Sequence, residues 1–210
     1  MFLAPMRTGL VDVVRKARVW VFDLDGTITV PVHDFDAARR ALGVPPGVDL
    51  LHHVDALPAS EARAARAWLS DWEERLADAA ELQADAAALI GALRAAGRPW
   101  GVLTRNTRPT ALRTLAAIGC VGPAGPVVVV GREDAAPKPA PDGVRAVIAA
   151  AGGHADSAVM VGDFVYDAMA GRAAGARTVL VRRPGGTGAA PGAADVEIDD
   201  LRELLPLEEP

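Results

Sequence analysis

The sequence predicts an α/β fold: a doubly wound parallel sheet with a helical insertion directly after its first strand. Two observations carry this. Apolar runs of strand length recur, each followed by a polar or Gly-containing turn and then an Ala/Leu-rich helical stretch, the alternation of a parallel α/β sheet. Several of these runs are continuous in Val, Leu and Met rather than alternating, as strands covered on both faces are. Half of the 210 residues are hydrophobic, which supports one core, or one core plus a small insertion. Aromatics make up only 4% of the chain, so that core is built from Ala, Val and Leu.

Val19–Asp23 reads as the first strand. Residues 28–83 then break the rhythm: no strand is visible, while Phe35, Ala38 and Leu42 recur at helical spacing and Pro45-Pro46-Gly47 ends that pattern. Downstream of Pro58, the residues Trp68, Leu69, Trp72 and Leu76 mark one apolar helix face, with the two tryptophans read as packing. The alternation resumes with a helix over Asp85–Ala96 and a strand over Pro99–Thr104. It continues with a helix over Thr110–Ile118, a strand over Pro126–Val130 and a helix over Asp142–Ala151. A strand at Ala158–Gly162, a helix at Tyr166–Ala174 and a strand at Thr178–Val181 complete it. Pro184–Ala194 contains Gly185-Gly186-Thr187-Gly188 without a following Gly-Lys-Ser/Thr, so it reads as a surface loop and not as a P-loop. Val196–Leu205 reads as a short strand and helix at the sheet edge.

Composition narrows the function. With 22 basic against 27 acidic residues and no basic block, the chain is not built for nucleic acid or an anionic membrane surface. No uninterrupted apolar run approaches the ~20 residues of a membrane span. The N-terminal region lacks the charge-first, long-apolar, small-residue order of a signal peptide. A single cysteine, Cys120, makes no internal disulfide, which fits a reducing cytoplasm.

In parallel α/β sheets, ligands sit beyond the carboxyl ends of the strands, and those ends carry the polar residues here. The first strand runs into Phe22-Asp23-Leu24-Asp25-Gly26-Thr27. At a side-chain period of two, Asp23 and Asp25 share a face while the chain stays extended. Two carboxylates on one face raise the pKa of one of them or call for a cation. The pair therefore suits either an ionised nucleophile beside a protonated acid, or a metal site. Thr104 and Asn106 follow the second strand, where a hydroxyl and free backbone N–H groups suit phosphate oxygens. Lys138, one of only two lysines among 22 basic residues, stands in Pro137-Lys138-Pro139 after the third strand. Asp163 tips the fourth strand, with Asp167 at the start of the next helix. An oxygen-ligand cation such as Mg²⁺ takes one or two carboxylates together with substrate phosphate.

Taken together, Phe22–Thr27, Thr104, Lys138 in its Pro-x-Pro, and Gly162-Asp163 with Asp167 and Ala170-Gly171 resemble the haloacid-dehalogenase-like hydrolase superfamily. Within it, the sequence looks like the phosphoglycolate-phosphatase-like branch with a helical cap after the first strand. The likeness runs from about Arg18 to Val181 and keeps all four motifs in order at strand ends. It implies a core of residues 1–27 and 84–210 with strand order 3-2-1-4-5, and a cap over residues 28–83. It also implies an Mg²⁺-dependent phosphatase acting on a small soluble phosphomonoester. Asp23 would be the nucleophile and form an aspartyl-phosphate. Asp25 would serve as acid and then base. Asp23, the backbone carbonyl of Asp25 and Asp163 would hold the metal, with Asp167 adjacent, while Thr104 and Lys138 fix the phosphoryl oxygens. One departure is that Phe164 stands where family members often carry Ser or Thr.

Single residues separate the branches. Haloacid dehalogenases lack the second aspartate, present here as Asp25. Phosphonoacetaldehyde hydrolase needs a cap lysine, and residues 28–83 contain none. A sugar phosphomutase shares the core and cap. A phosphoaccepting receiver module shares the chemistry but accepts phosphate on a later strand and is about half as long. For the leaving group, His33, in the hinge into the cap, is the residue expected to line the site, ahead of His52, His53, Arg39, Arg40 and Arg63. The Ala-rich helices present no association stripe, so no oligomeric state follows.

Overall fold

The computed structural model describes residues 8–31, 34–183 and 192–207. Its centre is a six-stranded sheet in the order β3-β2-β1-β4-β5-β6, every pair parallel. The strands are β1 (Val19–Phe22), β2 (Trp100–Leu103), β3 (Val129–Val130), β4 (Ala158–Gly162), β5 (Arg177–Val181) and β6 (Val196–Ile198). The expected order 3-2-1-4-5 is therefore present, extended by β6 at the edge; the sequence reading places a short strand and a helix there, and the structure has β6 followed by a 3₁₀ turn (Leu201–Leu204) in place of the helix.

The helices are α1 (Thr8–Lys16), α2 (Phe35–Ala41), α3 (Leu50–Ala56), α4 (Ala59–Asp78), α5 (Ala84–Ala95), α6 (Arg108–Ala117), α7 (Asp142–Ala150) and α8 (Val165–Ala174). The period-two alternation of β1 distributes its side chains to two cores. Trp20 and Phe22 join Leu89 and Leu93 of α5, Leu115 of α6 and Val13 of α1 on one face. Val19 and Val21 join Val144 and Val147 of α7 and Ala170 of α8 on the other. Helices on both faces explain why the strands read as continuous apolar runs.

Two further elements differ from the sequence reading. It places no element before β1, yet Leu10, Val13, Val14 and Ala17 lie at helical spacing and are all buried, so α1 covers the sheet. The third strand contracts from Pro126–Val130 to two residues. Pro126 has no N–H to give the ladder, and Val127 is half exposed although its N–H reaches the Trp100 carbonyl at 2.8 Å.

Between β1 and α5 the chain forms α2–α4, with a small core of its own around Leu50, Val54, Ala65 and Leu69. Trp68 and Trp72 stack at 6.1 Å on its margin and are half-buried. Glu73 is the exception on the inner face of α4, a carboxylate only 5% exposed in a row with Ala62, Ala65, Leu69 and Ala77. No helix among the described residues is long and apolar enough to cross a membrane. His33 and most of Pro184–Ala194 lie outside the described residues.

Candidate active site

The apolar strands end where the first polar side chains appear, and residues from the ends of β1, β2 and β4 and from the segment after β3 come together. Asp23 follows β1, Thr104 follows β2, Asp163 follows β4, and Lys138 comes from the segment between β3 and α7. Three carboxylates, those of Asp23, Asp163 and Asp167, bring one oxygen each to within 4.8 Å of one another. The Lys138 ammonium sits among them, paired with Asp23 Oδ1, 2.6 Å from Asp167 Oδ1 and 3.3 Å from the Leu103 carbonyl. Lys138, Asp23 and Asp167 are all buried.

The backbone makes room for this cluster at two glycines. Gly26 turns with φ +83°, and a Cβ there would land on the Asp163 carboxylate. A Cβ at Gly162 would likewise fall on the Asp167 side chain. Asp167 is aimed by the backbone: its Oδ2 accepts from the Phe164 N–H at 3.0 Å. The side chain of residue 164 is thus not needed for that hold. Phe164 instead sets its ring edge-to-face on Tyr166 at 5.0 Å.

Asp25 lies one residue past the Asp23–Leu24 step and is tied to the loop after β2. Asn106 Nδ2 donates to Asp25 Oδ2 at 2.8 Å, and the Asn106 N–H donates to Thr104 Oγ1 at 3.0 Å. Thr27, fully buried, places its hydroxyl 3.4 Å from Asp163 Oδ1.

Electrostatics follow from packing acids in a dry place. Burial pushes Asp23 up to about 7; Lys138 opposes the rise, and Asp167 and Asp25 add to it. Asp163 goes up to about 8 through burial and the charges of Asp23 and Asp167. Asp25 rises to about 6, mainly by burial. For Lys138, burial acts to lower the pKa, but Asp167 and Asp23 overcome it and the ammonium is held charged. Fully ionised, three carboxylates and one ammonium leave a net charge of about −2, the charge a divalent cation neutralises. The all-oxygen donor set is that of a hard cation such as Mg²⁺. Donors and charge both fit it.

The helical insert is fastened beside these loops by arginines of the core. Arg105 Nη2 reaches both carboxylate oxygens of Asp49 at 2.8 Å, and its guanidinium lies 5.8 Å over the Tyr166 ring. Arg132 Nη1 donates to Glu73 at 2.6 Å, which accounts for that buried carboxylate. Arg113 holds Asp78 with two bonds of 2.5 Å. By contrast, Arg39 is spent on the Val48 carbonyl of the insert itself, and Arg40 and Arg63 are exposed. Of the residues singled out in the sequence, Asp23, Asp163, Asp167 and Lys138 thus form one cluster, with Asp25, Asn106 and Thr104 linked beside it. Glu73, Arg132 and Asp49 carry no local sequence signal; only tertiary placement pairs them.

Comparison with known proteins gives the family of the chain. The model of the haloacid dehalogenase-like hydrolase family matches residues 48–175, a span that contains Thr104, Lys138, Asp163 and Asp167. A haloacid dehalogenase-like hydrolase domain-containing protein of Arabidopsis thaliana is 32% identical over 185 residues, 81% of this chain and 73% of that one. A phosphoglycolate phosphatase of Rhodospirillum rubrum is 36% identical over 124 residues, 59% of this chain and half of that one. Among solved structures, CbbY from Rhodobacter sphaeroides in complex with phosphate superposes with a TM-score of 0.68. That match covers 90% of this chain and 96% of CbbY at 20% identity, a likeness of fold.

Proposed function

The chain belongs to the haloacid dehalogenase-like hydrolase family, and we propose that it is an Mg²⁺-dependent phosphatase of a small, soluble phosphomonoester, working through an aspartyl-phosphate. The observation that carries this reading is the buried cluster of Asp23, Asp163, Asp167 and Lys138, with Asp25 bonded to Asn106 beside it.

Asp23, Asp163 and Asp167 would hold the cation, with the Asp25 backbone contributing. When bound, it supplies positive charge that neutralises the acids and polarises phosphoryl oxygens. Everything else belongs to the chain. Lys138 and the Thr104 hydroxyl orient the phosphoryl group, and Lys138 lets a carboxylate approach a dianion. The Asp23 carboxylate attacks phosphorus, and the bond from phosphorus to the ester oxygen breaks. Asp25 protonates that leaving oxygen. Its pKa near 6 keeps an acidic population close to neutral pH, and Asn106 donates to Oδ2, so the proton rests on Oδ1. A water then attacks the same phosphorus, gives its proton to Asp25, and releases phosphate together with the Asp23 carboxylate.

Residues 28–83 act in this reading as a cap, held beside the strand ends by Arg105–Asp49, Arg132–Glu73 and Arg113–Asp78. Closure over the strand ends favours a small substrate and excludes bulk water. The likeness to a phosphoglycolate phosphatase makes phosphoglycolate the first compound to try.

The test is inorganic phosphate release across a panel of metabolite phosphomonoesters, with Mg²⁺ or with EDTA, beside Asp23→Asn. Release that needs Mg²⁺ and vanishes in Asp23→Asn is the expected result. Release that survives Asp23→Asn would overturn the covalent route. Silence across the panel from folded protein would turn the reading toward phosphoryl transfer between sugar positions or stable phosphorylation of Asp23.

A further inference from the structure

The loop after β1 is held from behind by a residue far away in sequence. Arg183, just past β5, has a side chain only 9% exposed. Its Nε donates to the Gly26 carbonyl at 3.0 Å and its Nη2 to the Thr27 carbonyl at 3.1 Å. The other edge of the guanidinium faces Asp85 of α5, at 2.7 and 3.3 Å. Asp85 is itself buried and fixed, accepting from the Ala86 N–H at 2.9 Å and the Leu201 N–H at 3.0 Å.

Three of the turn's N–H groups bond within it. Gly26 N–H donates to Thr29, and the Ile28 and Thr29 N–H groups both donate to Leu24. The Gly26 and Thr27 carbonyls point out of that pattern, and buried carbonyls need donors. A planar peptide ties each carbonyl to the N–H of the next residue, so gripping two successive carbonyls fixes two peptide planes. The first of these planes begins one residue past Asp25, and the same two residues adjoin Asp163: a Cβ on Gly26 would meet its carboxylate, and the Thr27 hydroxyl lies 3.4 Å from Oδ1. Guanidinium geometry suits the task, because its fork presents donors in fixed directions where an ammonium cannot.

We propose that Arg183, anchored by Asp85, is a positioning residue: it sets the Gly26–Thr27 turn and through it the placement of Asp25 against Asp163. This deepens the phosphatase reading and rests on it for its kinetic consequence. Its conformational consequence is independent.

The experiment uses two variants of the full chain. Arg183→Lys keeps a cation beside Asp85. Arg183→Met combined with Asp85→Leu removes both charges together, which avoids stranding a buried carboxylate. Both are compared with the unaltered protein by hydrogen–deuterium exchange and by kinetics well below the melting temperature. The expected result is at least tenfold faster exchange at the Ile28 and Thr29 amides, with β4 unchanged. On the substrate found by the phosphate-release panel, kcat falls about a hundredfold, as small misplacements of reacting groups do, while KM moves less than threefold. Arg183→Lys recovers part of kcat. Exchange in this turn unchanged in whichever variant folds overturns the proposal, whatever the kinetics. Faster exchange with kcat within threefold overturns its catalytic half. If the unaltered protein releases no phosphate, the phosphatase reading fails while the exchange result still decides the hold on the turn.

Discussion

Cation binding should expel protons, and the amount is set by the buried acids. In the cation-free protein Asp23 titrates near 7 and Asp163 near 8. At pH about 6.5 the pair is mostly protonated, and at pH about 8.5 mostly ionised. Coordination needs both carboxylates ionised, so affinity for Mg²⁺ should rise about a hundredfold between those two pH values. Isothermal titration in two buffers of different ionisation enthalpy reads the released protons directly. The same shifts set stability. Both groups bind protons more tightly in the folded chain than at their unfolded value near 3.9. Their stabilising contribution is therefore complete below about pH 4 and is lost as pH rises through about 7 and 8. With EDTA present, the urea midpoint should fall over this range, and Mg²⁺ should restore it at the alkaline end. Equal heats in the two buffers, with affinity flat in pH, would mean that Lys138 alone keeps the acids ionised. Burial would then not be what sets the protonation of these acids.

Three substitutions, with Gly43→Ala as a control, probe other parts of the site. Gly26→Ala meets both a left-handed backbone and the Asp163 carboxylate, whereas Gly43→Ala meets only φ +64° with nothing within 4 Å. Each should lose about 1–2 kcal/mol of stability in urea, but only Gly26→Ala should lose Mg²⁺ affinity, by at least tenfold in titration calorimetry. Lys138→Met removes the ammonium from between Asp23 and Asp167, so kcat should fall by about 10²–10³ in steady-state assays. The pH at which Mg²⁺ affinity rises should move upward as well. Arg132→Met takes the guanidinium from the buried Glu73 and from beside the Arg105 carbonyl, and should cost about 3 kcal/mol in urea denaturation.

The sheet was legible because its physics is local. Continuous runs such as Ala158–Gly162 are strands because both faces are covered, and that pattern is written in consecutive residues. The acids and the lysine were legible for a related reason: strand ends are where a parallel sheet exposes side chains to ligands, so Asp23, Thr104 and Asp163 could be found by locating the ends. Helix α1 was equally written in the spacing of Leu10, Val13, Val14 and Ala17, but its short length and terminal place hid it among scattered apolar residues.

What holds the site in place is of another kind. Arg183 and Asp85 are 98 residues apart, and Arg132 and Glu73 are 59 apart. In a chain with 20 arginines, nothing local distinguishes the two that grip the site loops from those that face water. Their chemistry is nonetheless consistent. In each pair the carboxylate is fixed on a helix, on α5 or α4, and the arginine stands in a loop just past a strand. Arg183 reaches the carbonyls of the turn that carries Asp25, and the Arg132 backbone N–H donates to the Asn106 carbonyl at 3.0 Å. Since Asn106 in turn donates to Asp25, both supports converge on one carboxyl group. In the proposed phosphatase, that convergence falls on the group whose role would demand placement more than charge. Asp23 can be drawn to phosphorus by a cation, but a proton donor must meet the leaving oxygen at hydrogen-bond distance. Weakening either support should therefore affect the protonation of the leaving group first, and poor leaving groups should suffer more than activated esters such as p-nitrophenyl phosphate. Equal losses on both kinds of ester would place the supports' effect on Asp23 instead.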